Sequence, residues 1–523
     1  MIGPAWFKFP FQKKPGTNFV SVLEPLFFCL FLIAGLINVW SSEFFISLDG
    51  PAHLYNAKLL GRIDNSPFLQ EYYVRSSSYL PNYFTNIALS GLMRFFDAIT
   101  SEKMLISFIV TFIPISFRAM VNAIKPEKTA YTALIFLLPF SKLLHVGFYN
   151  FMVAFVFFNV AIFLFYMLLR KGPGISLYVL TIANGLLLYY SHALVFALAG
   201  LTLLFLLVFE NRKMPKRVFT YMSHLFLMYC IPMIMYVLFV SNFSIPDYNY
   251  DNPGNEKVEA LTTFQSGVTF LQEKELVYTA WVPLLLVFLG GICISTRKRG
   301  ERFSDYFRVS DVFIFISFAM IYFIFNSKDG QFGGMFVHRL SYIAFYFAVV
   351  WVLCNLNTSS LLYLLCLGLV AVIYIRLSVE RHNYTSQFDK YIKGVISTED
   401  YIQDNSLVYI FILTDVWHLN HLSGYLGLNK TLVLNDNYEA ILDWFPLRFK
   451  KEKIYPYQLP LEIRSDNKHD PDYVYVFGDT KNLEQEKYKA SLEFLNKKAR
   501  CIYNSPDKHS HLYKVIKEPG NGH

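Results

Sequence analysis

The sequence predicts a polytopic membrane protein, all-α within the bilayer with about eleven transmembrane helices, followed by an extracytoplasmic α/β domain at the C-terminus. Three observations carry that expectation. The chain has 523 residues, of which 54% are hydrophobic, 18% aromatic and only 16% charged, more apolar surface than one soluble core can hide. Its apolar residues form runs of spanning length, such as 218–240, rather than the i, i+3, i+4 stripes of a surface helix. From about Arg381 onward the composition turns polar, with short β-prone runs.

Taken in order, Lys8, Lys13 and Lys14 precede an apolar run at 22–40 that is too long for a signal peptide and has no small-residue cleavage site after it. It reads as a retained first helix with a cytoplasmic N-terminus. Further spans are expected at 104–124, 130–146 and 151–169. The stretch 175–209 would be about 50 Å long as one helix. Both its flanks are basic, so it reads as a hairpin turning near Ser191 and His192. Runs at 218–240 and 277–295 form the next pair, with the polar loop 241–276 outside; 312–325, 340–356 and 361–377 follow.

Sidedness comes from the basic clusters Arg170/Lys171, Arg212 to Arg217 and Arg297 to Arg302, which mark cytoplasmic loops and leave the tail outside. The same count forbids segment 81–97 from crossing. Asn82, Asn86, Ser90 and Arg94 lie opposite Phe84, Ala88, Leu92 and Phe95, the pattern of a helix lying flat in the interface. The chain therefore divides into a membrane domain, 1–380, with a first outer loop 41–103, and a soluble domain, 381–523. Strands in the latter are expected at 407–413, 431–434, 473–477 and 512–516, with helix over 483–498.

The net charge of +8 sits largely in short loops between spans, where it orients the protein, and nucleic acid is rejected as a partner. Cys29, Cys230, Cys293, Cys354 and Cys366 lie in apolar runs and Cys501 stands alone in the tail, which leaves no disulfide framework or zinc spacing.

The unusual polar residues gather on the outer side. Glu43, Asp49, His53 and Tyr55 lie in the first outer loop; His145, Tyr149 and Asn150 at the next outer turn, with Lys142 just inside; His192 at the following one; Lys328, Asp329, His338 and Arg339 around the last. Ionisable groups at such depth are costly and often mark a site. Each also has a plain reading. Asp49-Gly50-Pro51 is a good helix N-cap with proline in the first turn, and His53 at i+4 can bond that aspartate. Lys142 and Arg339 can snorkel; His145 and His192 can satisfy backbone at tight turns. Shared side and depth favour a site.

A first helix, a large outer loop opening with an acidic residue, an interfacial helix introduced by Tyr79-Leu80-Pro81-Asn82, many further helices and an outer C-terminal domain resemble the GT-C superfamily of membrane glycosyltransferases. Protein O-mannosyltransferases, lipid A aminoarabinose transferases and oligosaccharyltransferases are members. The resemblance implies a sugar donor linked to polyprenyl phosphate and inverting transfer to a glycan, lipid or protein acceptor, with Asp49 as catalytic base. It implies a cation on the departing phosphate, for which Arg339 is the first candidate and Lys142 the second, and a role for His53 in orienting Asp49 or meeting the acceptor. The adjacent Asp-Glu and the His-Pro-Pro motif of the mannosyltransferases are absent. A divalent metal fits the resemblance to oligosaccharyltransferases, yet no ligand set stands out. The implied location is a bacterial cytoplasmic membrane; the sequons at Asn242 and Asn429 keep the endoplasmic reticulum open. Two non-enzymatic readings compete: a lipid-linked glycan transporter or flippase, and a scaffold presenting the tail.

The assigned sidedness is testable with single cysteines. Those at Asp247 and Lys481 are expected to react with an impermeant thiol reagent in intact cells, while one at Arg299 stays unlabelled; labelling at 299 overturns the topology.

Overall fold

The structure, a computed structural model, describes residues 19–242, 254–297, 308–326, 335–442, 444–450 and 471–516. Eight of the described helices are long and apolar enough to cross a membrane, and Ile175–Ser191 and Asp311–Asn326 are shorter apolar helices. Their burial sorts them into layers. Tyr149–Lys171 and Phe336–Asn355 are buried along most of their apolar length, so these two form the centre of the bundle. Pro215–Asn242 has only 17% buried and turns Phe219, Phe226, Ile234 and Val237 outward, the surface that lipid would cover.

Helical backbone is interrupted in two stretches, the first expected to be a single span and the second expected to turn near Ser191 and His192. Segment 130–146 is not one α-helix: a 3-10 helix runs Pro126–Leu137, the chain breaks, and a short helix follows at Lys142–Val146. Pro139 is the physical reason, since it has no N–H for the helix ladder and disfavours helical backbone at the residue before it. At about 2.0 Å per residue the 3-10 segment still reaches about 24 Å. Segment 175–209 is two helices, Ile175–Ser191 and Ala193–Glu210, meeting at His192, whose backbone is extended.

The first loop holds a helix at Gly50–Arg62 and another at Phe84–Leu92, the latter shorter than the 81–97 pattern. It also contributes strand β1, Tyr73–Arg75. The tail contributes β2 (Ser406–Leu413), β3 (Leu432–Leu434), β4 (Leu447–Phe449), β5 (Tyr473–Gly478), β6 (Ala499–Asn504) and β7 (Ser510–Val515). Five of these make one sheet in the order β3-β2-β5-β7-β6, parallel on the β3-β2-β5 side and antiparallel beyond it. Helices Asp389–Thr398 and Lys489–Lys498 complete an α/β domain.

The two parts are bonded to each other. β1 pairs antiparallel with β4, Tyr73 opposite Phe449 with their rings stacked at 4.8 Å. The Tyr55 hydroxyl donates to the Leu432 carbonyl at 2.8 Å and accepts from the Leu434 N–H at 3.1 Å. Asn56 and Asn437 exchange amide hydrogen bonds of 2.8 and 2.9 Å. Gly424 packs on the Pro51 carbonyl so closely that no Cβ fits there. The tail thus grips one face of the Gly50–Arg62 helix.

Gly424→Val should therefore wedge this contact open, at a cost of about 1–3 kcal/mol or more. Limited proteolysis should then cut between the bundle and the tail far faster, whereas Gly368→Ala, which meets open space, should leave the digestion pattern unchanged.

Candidate functional site

Asp49 is held by backbone on both sides. Its N–H donates to the Val146 carbonyl at 3.0 Å, and Leu48 donates to His145 at 2.9 Å, so the loop before the Gly50–Arg62 helix is clipped to the turn after Lys142–Val146. Gly147 makes the clip fit: its φ is +94°, and a Cβ there would lie 2.6 Å from the Asp49 Cβ, a position only glycine tolerates. Asp49 occupies the N-cap position, yet its side chain makes no capping hydrogen bond. The carboxylate points instead to other partners.

Those partners come from both parts of the chain. Tyr438 donates its hydroxyl to Asp49, and the His421 Nε2 lies 3.6 Å from Oδ1. Burial, then the His53 charge, pushes the His421 imidazole down to about 4, so this contact is with a neutral ring. Burial is also the largest influence on Asp49 itself. Opposed by His53, Tyr438 and Arg339 and reinforced by Glu439, it pushes the carboxyl up to about 7.

His53, one turn along the helix, is buried with Nε2 2.8 Å from the Gly147 carbonyl. A carbonyl only accepts, so Nε2 carries a hydrogen. Its Nδ1 lies 2.5 Å from Oε1 of Glu439, a fully buried tail residue whose other oxygen accepts from Asn86 at 3.1 Å. The pair meets the distance of a hydrogen bond but not its direction, so charge attraction carries it. Burial would depress the imidazole; the Glu439 carboxylate, with Asp49 and the Gly147 carbonyl, overrides that and pushes it up to about 9. Behind His53, Tyr149 bridges Ser47 at 2.8 Å and the buried Glu102 at 2.7 Å.

The other candidates separate from this centre. Arg339 stacks over the Phe148 ring at 4.2 Å, one residue from Gly147, and its charge acts on Asp49. Lys142 instead faces His338 at 3.4 Å, and His338 lies 3.8 Å from Glu256. His145 donates through Nδ1 to the Ile46 carbonyl at 3.0 Å and stacks on Phe45. Asn150 binds the Thr85 N–H and the Asn82 carbonyl, both at 2.9 Å, and so fixes the start of the Phe84–Leu92 helix. His192 packs its ring edge-on against Phe151. Tyr55 docks the tail, as above, and Glu43 pairs with Lys393 at 2.6 Å where both are more than half exposed, a contact worth little in water. Lys328 and Asp329 lie outside the described residues.

Sequence reasoning missed Glu439, Tyr438, His421 and Glu102. A signal for the first two was present: Asn435-Asp436-Asn437-Tyr438-Glu439 is a polar cluster directly after a β-prone run. Its partner lies almost 390 positions earlier, so no spacing could join them.

Two open spaces, of about 460 and 370 Å³, share Phe140, Ser378 and Arg381. Asp49 lines neither of them, so the centre is defined by its charges rather than by those spaces. No cluster of three or more His, Cys, Asp or Glu suited to a metal occurs among the described residues.

The multi-pass helical bundle with a docked α/β domain agrees with the architecture expected from the sequence. The crystal structure of ArnT from Cupriavidus metallidurans in the apo state has a similar fold, with a TM-score of 0.52 over 94% of this chain and 98% of that one, at 10% sequence identity. At that identity the likeness is one of fold. No family model and no curated protein matches the sequence.

The charge on Asp49 gives a stability prediction. Its carboxyl is raised in the folded protein, so the folded state loses stability as pH rises from the ordinary aspartate value through about 7. Asp49→Asn removes that loss and sacrifices no capping bond. Its melting temperature at pH 8 should equal or exceed the wild type's, and its variation between pH 4 and 7 should be flatter.

Proposed function

We propose that this protein is a GT-C-type membrane glycosyltransferase, moving a sugar from a polyprenyl-phosphate donor to an acceptor at the extracytoplasmic face with inversion at the anomeric carbon. The observation that carries this reading is the Asp49 carboxylate: buried, free of any capping duty, and clipped by backbone against Gly147 at the junction of first loop, bundle and tail. The fold shared with ArnT, a GT-C-family enzyme, supports it.

In the proposed step Asp49 takes the proton from the acceptor as the acceptor attacks the anomeric carbon. The bond from that carbon to the phosphate oxygen breaks, and its electron pair stays on the phosphate. Negative charge grows there, so a fixed guanidinium accelerates the step. Arg339 suits this role because its cation-π contact with Phe148 holds it beside the Gly147 turn. Lys142, engaged with His338, is the second candidate. A donor with a lipid tail would reach such a centre from the bilayer.

The test uses membranes containing the full-length protein and a panel of synthetic polyprenyl-phosphate sugars. Transfer should rise with pH through about 7, as Asp49 gives up its proton. Asp49→Asn should reduce it by about a hundredfold or more, while Arg339→Lys, which keeps charge but loses the planar fork, should mainly weaken donor use. Undiminished transfer by Asp49→Asn would refute the base and favour the transporter or scaffold readings.

A further inference from the structure

We propose that the C-terminal domain completes the active centre, with Glu439 acting as a positioning residue that holds His53 as a cation beside Asp49. The inference rests on the reading of Asp49 as the base.

The geometry leaves little freedom. His53 Nε2 donates to the Gly147 carbonyl, and Gly147 is also the residue packed on Asp49. The ring is thus pinned between the turn that seats the base and a carboxylate that arrives from the tail at 2.5 Å. If Nδ1 had no hydrogen, an uncharged nitrogen would lie 2.5 Å from the buried Glu439 carboxylate and leave it without a cation. An imidazolium avoids that, and a buried carboxylate needs a cation more than a surface one does. Glu439 is itself oriented by Asn86 of the first loop, and the neighbouring Asn437 pairs with Asn56. Residues 437–439 therefore act as one tail segment: Asn437 docks, Tyr438 bonds Asp49, and Glu439 charges His53.

Among the described residues, the charged and titratable groups acting on the centre come from the first loop, the bundle and the tail. Asp49 experiences His53 and Arg339 as cations, Glu439 as an anion, and Tyr438 and His421 as neutral partners. His53 experiences Glu439 and Asp49 directly, and Glu102 behind Tyr149. The cation and anion of the His53–Glu439 pair act on Asp49 in opposite senses, and the cation acts more strongly. Removing His53 alone leaves Glu439 unopposed and makes Asp49 harder to ionise. Removing both charges cancels most of that change. Glu439→Gln should therefore be harmful in the wild type and helpful in a His53→Gln background. A contact that only supports the fold would give losses that add.

The measurement is a pH titration of Asp49 in the full-length protein in detergent, with the proton as the only probe. Infrared spectroscopy reads the protonated-carboxyl band that Asp49→Asn abolishes, in wild type, His53→Gln, Glu439→Gln and the double variant. In His53→Gln the midpoint should rise by about one pH unit or more, and in the double variant it should return most of the way. If the isolated charge prevents His53→Gln from folding, recovery of folded protein in the double variant shows the same coupling. A double variant no better than His53→Gln by either measure overturns the proposal. Transfer by Asp49→Asn separates the two claims: if it is lost while the titrations do not move, only the role of Glu439 falls. If it is retained, the base falls and the proposal with it.

Discussion

The cost of keeping charge out of water governs this structure. Removing a carboxylate from water costs several kcal/mol unless an opposite charge and hydrogen bonds replace the solvent. Asp49 and Glu439 are both buried, and the charge of one imidazole, His53, acts on both. That arrangement holds only while the tail is docked, because Glu439 and Tyr438 belong to the tail and His53 and Asp49 to the first loop. Docking is therefore coupled to the charge state of the centre. The β1–β4 ladder, the Tyr55 hydroxyl and the Asn56–Asn437 pair hold in register what the charges require.

The bundle supplies the complementary constraint. Backbone can leave a helix at membrane depth only where protein satisfies its polar groups. Among the described residues, the apolar segments 130–146 and 175–209 are interrupted in this way, after Pro139 and at His192. At the first, the carbonyls of the turn 145–147 accept hydrogen bonds from the Leu48 and Asp49 N–H groups and from the His53 ring. A break made necessary by proline thus becomes the seat of the acidic residue. Glycine at 147 lets the two backbones meet without a side chain between them.

Arg339 and Lys142 illustrate how the same residue type takes different tasks. Both are cations near the start of helices and both were candidates for a phosphate. Arg339 lies over Phe148, next to the turn that holds Asp49, whereas Lys142 is engaged with His338 and, through its charge, with Glu256. A planar guanidinium can stack on a ring and keep donors available, which a hydrated ammonium does less well.

The amino-acid sequence by itself determined the layers of this protein. Spanning runs, basic loops and the compositional break near Arg381 are local or additive signals, and bilayer thickness and helix rise translate them directly into helices. It also marked Asp49 and His53, because Asp-Gly-Pro and the i+4 interval are local, and four strand runs of the tail, because alternation and β-branched content are local. It could not reveal that 130–146 breaks, since apolarity outweighed one proline, nor β1 and β4, which are too short to be read apart from each other. Glu439, Tyr438 and His421 became part of the centre only through tertiary structure. A charge is placed by what surrounds it, and here the surroundings come from segments nearly 390 residues apart, joined by docking that no local pattern encodes.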